Sequence, residues 1–478
     1  MMSGTRMEGV RLGVVRGISY GLFAPPDVFL PAARAMGAGL LRAYVYWAQV
    51  EPEPGHYTWD TVDALLAQLD GDEEVWLTVC SSSPWATRQS TNFLPPSPAN
   101  DLDAYAEFVR RLVDHCAGRI RYWQCDNEPS NTGLLWAGTA EEYVAQLRAF
   151  HDAVKASDPA AVVVLGGCGY DVWSSPEGSE QRRFFDHLTD AGRDSFDLFD
   201  AHLYGEPTRV PDYVAAARDM MRAHGYEKPV VAGEHAGPVL FEFPELDPAI
   251  QQVFATAFAE PQATQSTDEL AAQAGRDTPE RRAMAALYAR VEELPPRLRM
   301  FMDGCGPELE AKRHRINCRQ LVVRTVLALD AGVRRLAYWN LAPEVAGWHD
   351  PYQMMHLMFG KLPLLDFEDG ALTRRHPAAE TFALLAERLD GLSEVWRIDV
   401  GRPEAYVFAI ERAGRARLLV AWEHRDWFDG EEEPPATVLL PWPAPVATAV
   451  DAFGDKPDVR VSDGVLRLPV SATPVFVE

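Results

Sequence analysis

Three shortages narrow the field before any motif is read. Lys and Arg number 45 against 70 Asp and Glu in 478 residues, a net charge of −25, and that sign argues against nucleic acid or an anionic membrane surface as the main partner. A neutral substrate suits it better. The cysteines are six, Cys80, Cys116, Cys125, Cys168, Cys305 and Cys318, with no CxxC pair, so mostly buried thiols and a reducing compartment are expected rather than a disulfide framework. No stretch is apolar over the length a bilayer demands, and the N-terminus MMSGTRMEGVRLGVV lacks the apolar core and cleavage site of a leader. The expectation is a soluble, cytoplasmic protein.

Chemical motifs are missing too. The first strand region, GVVRGIS, carries no His-x-His, and the twelve histidines are scattered without HExxH, which disfavours a barrel metallohydrolase; no metal and no other cofactor is called for. A Gly-x-Ser-x-Gly elbow is absent, which disfavours a serine esterase. No GxGxxG follows the first strand, which disfavours a dinucleotide-binding sheet.

What is present is an alternation. With 47% hydrophobic and 24% charged residues the composition is that of a globular protein. From residue 10 to about 341, short apolar runs alternate with segments of helical period, the pattern of a parallel sheet built from βα units. The runs are Val10–Val15, Gly39–Tyr46, Val75–Cys80, Ile120–Cys125, Val162–Gly166, Phe196–His202, Pro229–Gly233 and Arg335–Trp339. Helical patterns include Leu102–Cys116, Ala140–Ala156 and Arg315–Ala331. Eight units favour a closed (β/α)8 TIM barrel of the α/β class over an open sheet. The barrel is expected over 1–392, with an insertion at about 236–314 of undetermined role. From Val395 the period changes to two, in VWRIDV, AYVFAIE, ARLLVAW, ATVLLPW, GVLRLPV and PVFVE, so 393–478 reads as a C-terminal antiparallel β-sandwich-like domain.

Two strand ends carry carboxylates. RIRYWQCDNEPS turns from an apolar run into Asp126, Asn127, Glu128 and a chain-turning Pro129, and KPVVAGEHAGP presents Glu234 after Gly233. Catalytic groups of a barrel sit at the carboxyl ends of its strands. Glutamates ending strands four and seven can face each other across the mouth, which is the arrangement glycosidic bond cleavage requires: one donates a proton to the leaving oxygen, the other attacks the anomeric carbon.

On these residues the chain resembles the clan A glycoside hydrolases, retaining (β/α)8 enzymes, and family 39 and its relatives in particular. The resemblance implies that Glu128 is the acid/base, that Asn127 hydrogen-bonds the sugar 2-hydroxyl, and that Glu234 is the nucleophile. LLRAYVYWAQVEPEPGHYTWDTVD matches the clan's strand-two pattern, and makes Arg42 the charge that supports the nucleophile. SSSPWAT resembles the family 39 Pro-Trp-Ala segment and brings in Trp85. DAHLYGE places His202 and Tyr204 two apart on strand six, where the clan hydrogen-bonds its nucleophile, and AYWNL makes Trp339 the platform on which the reacting sugar stacks. Trp47, Trp136, Trp173 and Trp348 fall near the same rim and could line further subsites or pack beneath loops. His235 is expected to point away. The long seventh loop departs from the family pattern and leaves the sugar open. The partner implied is a carbohydrate and the reaction retaining hydrolysis of a β-glycoside; a barrel that binds sugar without cleaving it, or a transglycosylase using the same two glutamates, stays open.

Overall fold

The eight apolar runs become eight parallel strands: β1 (Arg11–Val15), β2 (Leu40–Tyr46), β3 (Glu74–Cys80), β4 (Tyr122–Cys125), β5 (Val162–Val164), β6 (Phe199–Asp200), β7 (Val230–His235) and β8 (Arg335–Tyr338). A computed structural model of the protein describes residues 9–16, 29–243, 248–257, 276–343, 352–368 and 371–478. The strand order is β5-β4-β3-β2-β1-β8-β7-β6. Parallel bridges Val164–Leu198 and Cys168–Ala201 join β5 to β6 and close the ring. Parallel neighbours need long crossovers, and helices supply them. Because those helices cover the outside while side chains fill the inside, β2 is buried at every position, which is why these runs read as continuously apolar rather than alternating.

The helices Leu102–Cys116 and Ala140–Ser157 carry their own start signals. Asp101 caps the first by accepting from the Asp103 and Ala104 amides, and Thr139 with Glu142 forms a capping box on the second. The helix before β8 corrects the expected boundary: it runs Pro307–Asp330 rather than from Arg315. Gly306 at φ 93° and Pro307 at the first helical position start it, and its first turns are polar and largely exposed, so apolar periodicity does not report them. The inserted segment is helical where described, at Pro248–Ala257, Pro279–Tyr288 and Pro296–Arg299.

After β8 the stretch read as irregular contains a helix, Met354–Phe359, and a hairpin of β9 (Leu365–Glu368) with β10 (Ala371–Arg375). The helix Pro377–Leu389 leads to two antiparallel sheets. One orders β11 (Leu392–Arg397), β12 (Ala405–Arg412), β13 (Leu418–Glu423), β18 (Val475–Val477) and β15 (Ala449–Asp451); the other orders β14 (Ala436–Pro441), β17 (Val465–Val470) and β16 (Arg460–Ser462). Val407, Leu419, Val438, Leu466, Leu468 and Val475 form the core between them. β15 and β16 escaped the sequence reading because each is short and buries none of its three residues, so no apolar run marks it. The loop after β13 binds this domain to the barrel: Glu431 takes Lys312, Arg315 and Arg319 from the helix Pro307–Asp330, and the Trp427 indole donates to Glu206 at 3.0 Å. All six cysteines are free, and only Cys305 is not buried. Among the described residues no helix is long and apolar enough to cross a membrane.

Candidate active site

The turn after β4 is built around a buried carboxylate. Asp126 (φ 54°) and Glu128 (φ 38°) both adopt left-handed conformations, each costing of order 1 to 3 kcal/mol for a residue with a side chain. Asp126 offsets that cost. It accepts from the Ser81 amide at 2.7 Å, from the Ser81 hydroxyl at 3.0 Å and from Gln146 Nε2 at 3.1 Å, which pins the turn to the end of β3 and to the helix behind it. Burial, only partly countered by those donors, pushes the Asp126 carboxyl up to about 7. The next residues, Asn127 and Glu128, are thereby thrown over the barrel mouth.

Glu234 sits opposite, near the end of β7, with its carboxylate held by three donors. Arg42 Nη1 donates to Oε1 at 2.6 Å, Tyr44 OH to Oε1 at 2.9 Å and Tyr204 OH to Oε2 at 2.9 Å. Arg42 is wholly buried, and its other nitrogen donates to Gln124 Oε1 at 2.8 Å and to Asn127 Oδ1 at 2.7 Å. Burial weakens its hold on the proton, but the surrounding Tyr44, Glu234 and Asp200 outweigh this and hold the guanidinium charge more firmly than usual. Burial foremost, with the Glu234 charge added in each case, keeps both tyrosine hydroxyls protonated well above the ordinary phenol range, once the opposing Arg42 charge at Tyr44 is counted. They therefore remain donors at any working pH.

His202 links the two glutamates. Its Nδ1 lies 2.5 Å from Glu128 Oε1 and 3.4 Å from Glu234 Oε2, while Nε2 lies 3.1 Å from Asp200 Oδ2. Burial would discharge the ring, yet the charges of Glu234 and Asp200 outweigh it and push its pKa up to about 10. A protonated ring donates from both nitrogens. Asp200 in turn is held below the usual carboxylate range: burial opposes this, and the His202 charge with its hydrogen bond prevails. Asp200 also accepts from Gln124 Nε2 at 2.8 Å and from the Gly233 amide at 2.6 Å. A methyl group at Gly233 would stand 2.4 Å from Asp200 Oδ2, and one at Gly167 would stand 2.2 Å from His202 Nε2. Glycine at both positions lets the backbone come this close.

One carboxylate oxygen of Glu128, one of Glu234 and a ring nitrogen of His202 all lie within 4.8 Å of one another. By ligand type this set suits a divalent cation; as the side chains stand, His202 Nδ1 is bonded directly to Glu128 at 2.5 Å. The arrangement is a proton and hydrogen-bond network. The two glutamates differ in access, the Glu128 side chain being 15% exposed and that of Glu234 6%.

The remaining sequence candidates divide. Trp339 is nearly buried at the end of β8, its ring edge-on to Phe359 at 6.2 Å. Trp85 is half-buried, donates to the Glu51 carbonyl at 3.1 Å and packs edge-on against Trp47 at 5.7 Å; no described contact joins it to either glutamate. Trp47 lies in a cluster with Tyr105 and Phe108, Trp136 packs on Tyr143, and Trp173 stacks on Tyr213 while donating to the His202 carbonyl at 3.2 Å. Trp348 lies outside the described residues. His235 points away from the pair, edge-on to Tyr338, and burial with the nearby Arg324 lowers its pKa to about 3. Tyr44, Gln124, Asp200 and Asp171 went unread. The first three have a signal: a polar group two residues from another on an otherwise apolar strand shares its inward face, as Tyr44 does with Arg42 and Asp200 with His202. Asp171, after β5, has none. A methyl at Gly169 would stand 2.5 Å from Asp171 Oδ1 and 2.9 Å from Glu128 Oε1, and burial, reinforced by the Glu128 charge, pushes the Asp171 carboxyl up to about 6.

No protein-family model matches the sequence, and no curated protein does either. Solved structures match by fold. A family 39 glycoside hydrolase from the gut symbiont Bacteroides cellulosilyticus WH2 aligns over 98% of this chain and 80% of its own, with a TM-score of 0.61 at 14% identity. The chain has the fold of these glycoside hydrolases. A monomeric β-xylosidase from Caulobacter crescentus CB15 aligns over 99% of this chain and 97% of its own, with a TM-score of 0.58 at 12% identity. A glucosidase from Croceicoccus marinus gives 99%, 97%, 0.56 and 14% in the same measures. Coverage this complete means that the glycoside hydrolase fold accounts for the C-terminal sheets as well as the barrel.

Proposed function

We propose that the protein is a retaining glycoside hydrolase, cleaving a β-glycosidic bond of an oligosaccharide, polysaccharide or simple glycoside by double displacement. The observation that carries this reading is the approach of Glu128 and Glu234, with one oxygen of each inside 4.8 Å. Retaining enzymes hold their carboxyl groups roughly 5 to 5.5 Å apart, whereas inverting enzymes leave roughly 6.5 to 9.5 Å for a water. Oxygens this near to one another favour the retaining arrangement.

In the first step Glu234 attacks the anomeric carbon while Glu128 gives its proton to the departing oxygen. The bond from carbon to the leaving oxygen breaks as the glycosyl ester forms. In the second, Glu128 takes a proton from water, and the hydroxide attacks the same carbon and releases Glu234. Arg42, Tyr44 and Tyr204 fix the direction in which the Glu234 oxygens point, the positioning on which such attack depends. Asn127, tied by its oxygen to Arg42, has its amide nitrogen free to donate to the sugar 2-hydroxyl, and Trp339 offers an apolar ring to the pyranose C–H groups.

A panel of aryl β-glycosides with a 2-fluoro glycosyl inhibitor tests the proposal. Turnover by the wild type, with a glycosyl adduct recovered by mass spectrometry on the peptide containing Glu234, is the expected result. Sugar binding without turnover or labelling would make the protein a binding module instead. Product analysis with an added alcohol acceptor separates hydrolysis from transfer, which the same two residues serve equally.

A further inference from the structure

The segment inserted after β7 grips the loop after β8 at four residues, two within its helix Met354–Phe359 and one on either side of it. Glu280 Oε1 accepts from the Met354 amide at 2.7 Å. Tyr288 packs edge-on against Tyr352 at 5.6 Å, with the Arg281 guanidinium 5.0 Å over the same ring. Asp303 takes His356 Nε2 at 3.0 Å on one oxygen and Lys361 Nζ on the other. The Asp303 amide is itself tied to Tyr288 OH at 3.1 Å, so these grips belong to one piece.

What this helix holds in place is Phe359. The ring lies 5.7 Å from that of Tyr204, whose hydroxyl bonds Glu234, and 6.2 Å from that of Trp339. It is inclined to both, at 56° and 66°, and it is only half-buried. Three aromatic rings in three orientations thus stand on the Glu234 side of the mouth. Two come from barrel strand ends and are placed by the sheet. The third comes from a loop, and a half-exposed aromatic on a six-residue helix has too little of its own packing to stay in one place.

We propose that the insertion is a clamp that fixes Phe359 as the third wall of the sugar pocket, making Phe359 a specificity-determining residue. The sugar contact rests on the glycosidase reading; the clamp does not. An aromatic face favours pyranose C–H groups and penalises a hydroxyl placed against it, because it offers no hydrogen-bond acceptor or donor of ordinary strength. Phe359 therefore selects for the face of the sugar that turns toward β8, while the glutamates act on its anomeric carbon.

Two arms test this on the full chain. In hydrogen exchange without any sugar, Asp303→Ala should speed exchange of the 354–361 amides at least roughly tenfold while leaving the barrel strands unchanged; unchanged exchange across 354–361 overturns the clamp. In kinetics, Phe359→Ala and the volume-conserving Phe359→Leu should raise KM roughly three- to tenfold with kcat held within about twofold. Asp303→Ala should move KM the same way, and adding it to Phe359→Ala should add nothing. An unaltered KM in both Phe359 variants overturns the wall. A wild type that turns over no glycoside sinks the glycosidase reading, and the exchange arm still decides the clamp.

Discussion

At the amino end of the barrel Arg335 of β8 reaches across to Glu74 of β3, and the Tyr122 hydroxyl, bonded to both at 3.1 and 3.0 Å, completes the set. At the carboxyl end Arg42 of β2 reaches across to Glu234 of β7, with Tyr44 beside it. Each is an arginine–glutamate pair with a tyrosine and a buried arginine, spanning the same closed sheet. At the amino end one carboxylate meets two guanidiniums, that of Arg335 and, at 3.9 Å, that of Arg121, and one phenol. At the carboxyl end Arg42 and His202 are shared among three carboxylates, Glu128, Asp200 and Glu234. A buried ion pair is therefore no mark of a site. The mark is an excess of carboxylate over what the fold needs, held where a ligand can reach it.

Substitutions at the two ends should separate stability from chemistry. The largest expected effect is Glu234→Ala, which should lower kcat by about four orders of magnitude or more while the protein stays folded. Next is Glu128→Ala. It should cost about 10² to 10⁴ on substrates with poor leaving groups, retain the first step on activated aryl glycosides, and recover turnover with azide. Full activity on poor leaving groups would remove Glu128 from the mechanism. Arg42→Met and Arg335→Met make the direct comparison. Breaking a buried pair costs about 3 to 5 kcal/mol, so denaturant midpoints should fall in both, but only Arg42→Met should lose activity in the fraction still folded. Equal kinetic losses would mean that the two ends do not differ in the way argued.

The two clusters also differ in pH response, since of the described residues that form them only the carboxyl-end set includes a histidine. Burial disfavours the charged His202 ring, but Glu234 and Asp200 lift its pKa in the folded protein to about 10, above the roughly 6.5 of an unfolded histidine. A raised pKa stabilises the fold fully below pH of about 6.5, and that stabilisation is lost as pH rises through about 10. Wild type should lose stability on the order of a few kcal/mol across this window. His202→Gln, which has no titrating group there, should start lower at pH 6 and decline less steeply; parallel curves would show that the ring is neutral in the native state.

The carboxyl end was legible in the sequence and the amino end was not, for a physical reason. Glu128 and Glu234 follow apolar runs and adjoin a proline and a glycine, so the end of a strand is marked by the residues themselves. Arg335 and Glu74 begin strands, are separated by 261 positions, and look like the ordinary charges that flank any apolar run. The strand count was readable because the barrel strands lie in buried, apolar runs, whereas β15 and β16 bury none of their residues. The inserted segment was opaque since its partners, Tyr352, Met354, His356 and Lys361, belong to a loop whose position only the folded chain defines. Trp85, a tryptophan after a strand-three proline, suggested a subsite; it is half-buried and packs edge-on against Trp47.

The smallest and sharpest contrast is between two hydroxyls. Tyr204→Phe removes one of three donors to Glu234, a hydrogen bond to a charged group worth about 1.5 to 3 kcal/mol, and leaves the ring against Phe359 and His202 intact. If that bond matters chiefly while charge moves on and off Glu234, the loss should fall on kcat, about ten- to a hundredfold, with little change in melting temperature. Tyr122→Phe removes the matching hydroxyl from the Glu74–Arg335 pair, where no charge moves. There the same deletion should lower stability by about 1 to 3 kcal/mol and leave kcat and KM as they are. A Tyr204→Phe variant that only melted earlier, with wild-type kcat, would place its hydroxyl in the same class as that of Tyr122 and return Glu234 to being one more structural carboxylate.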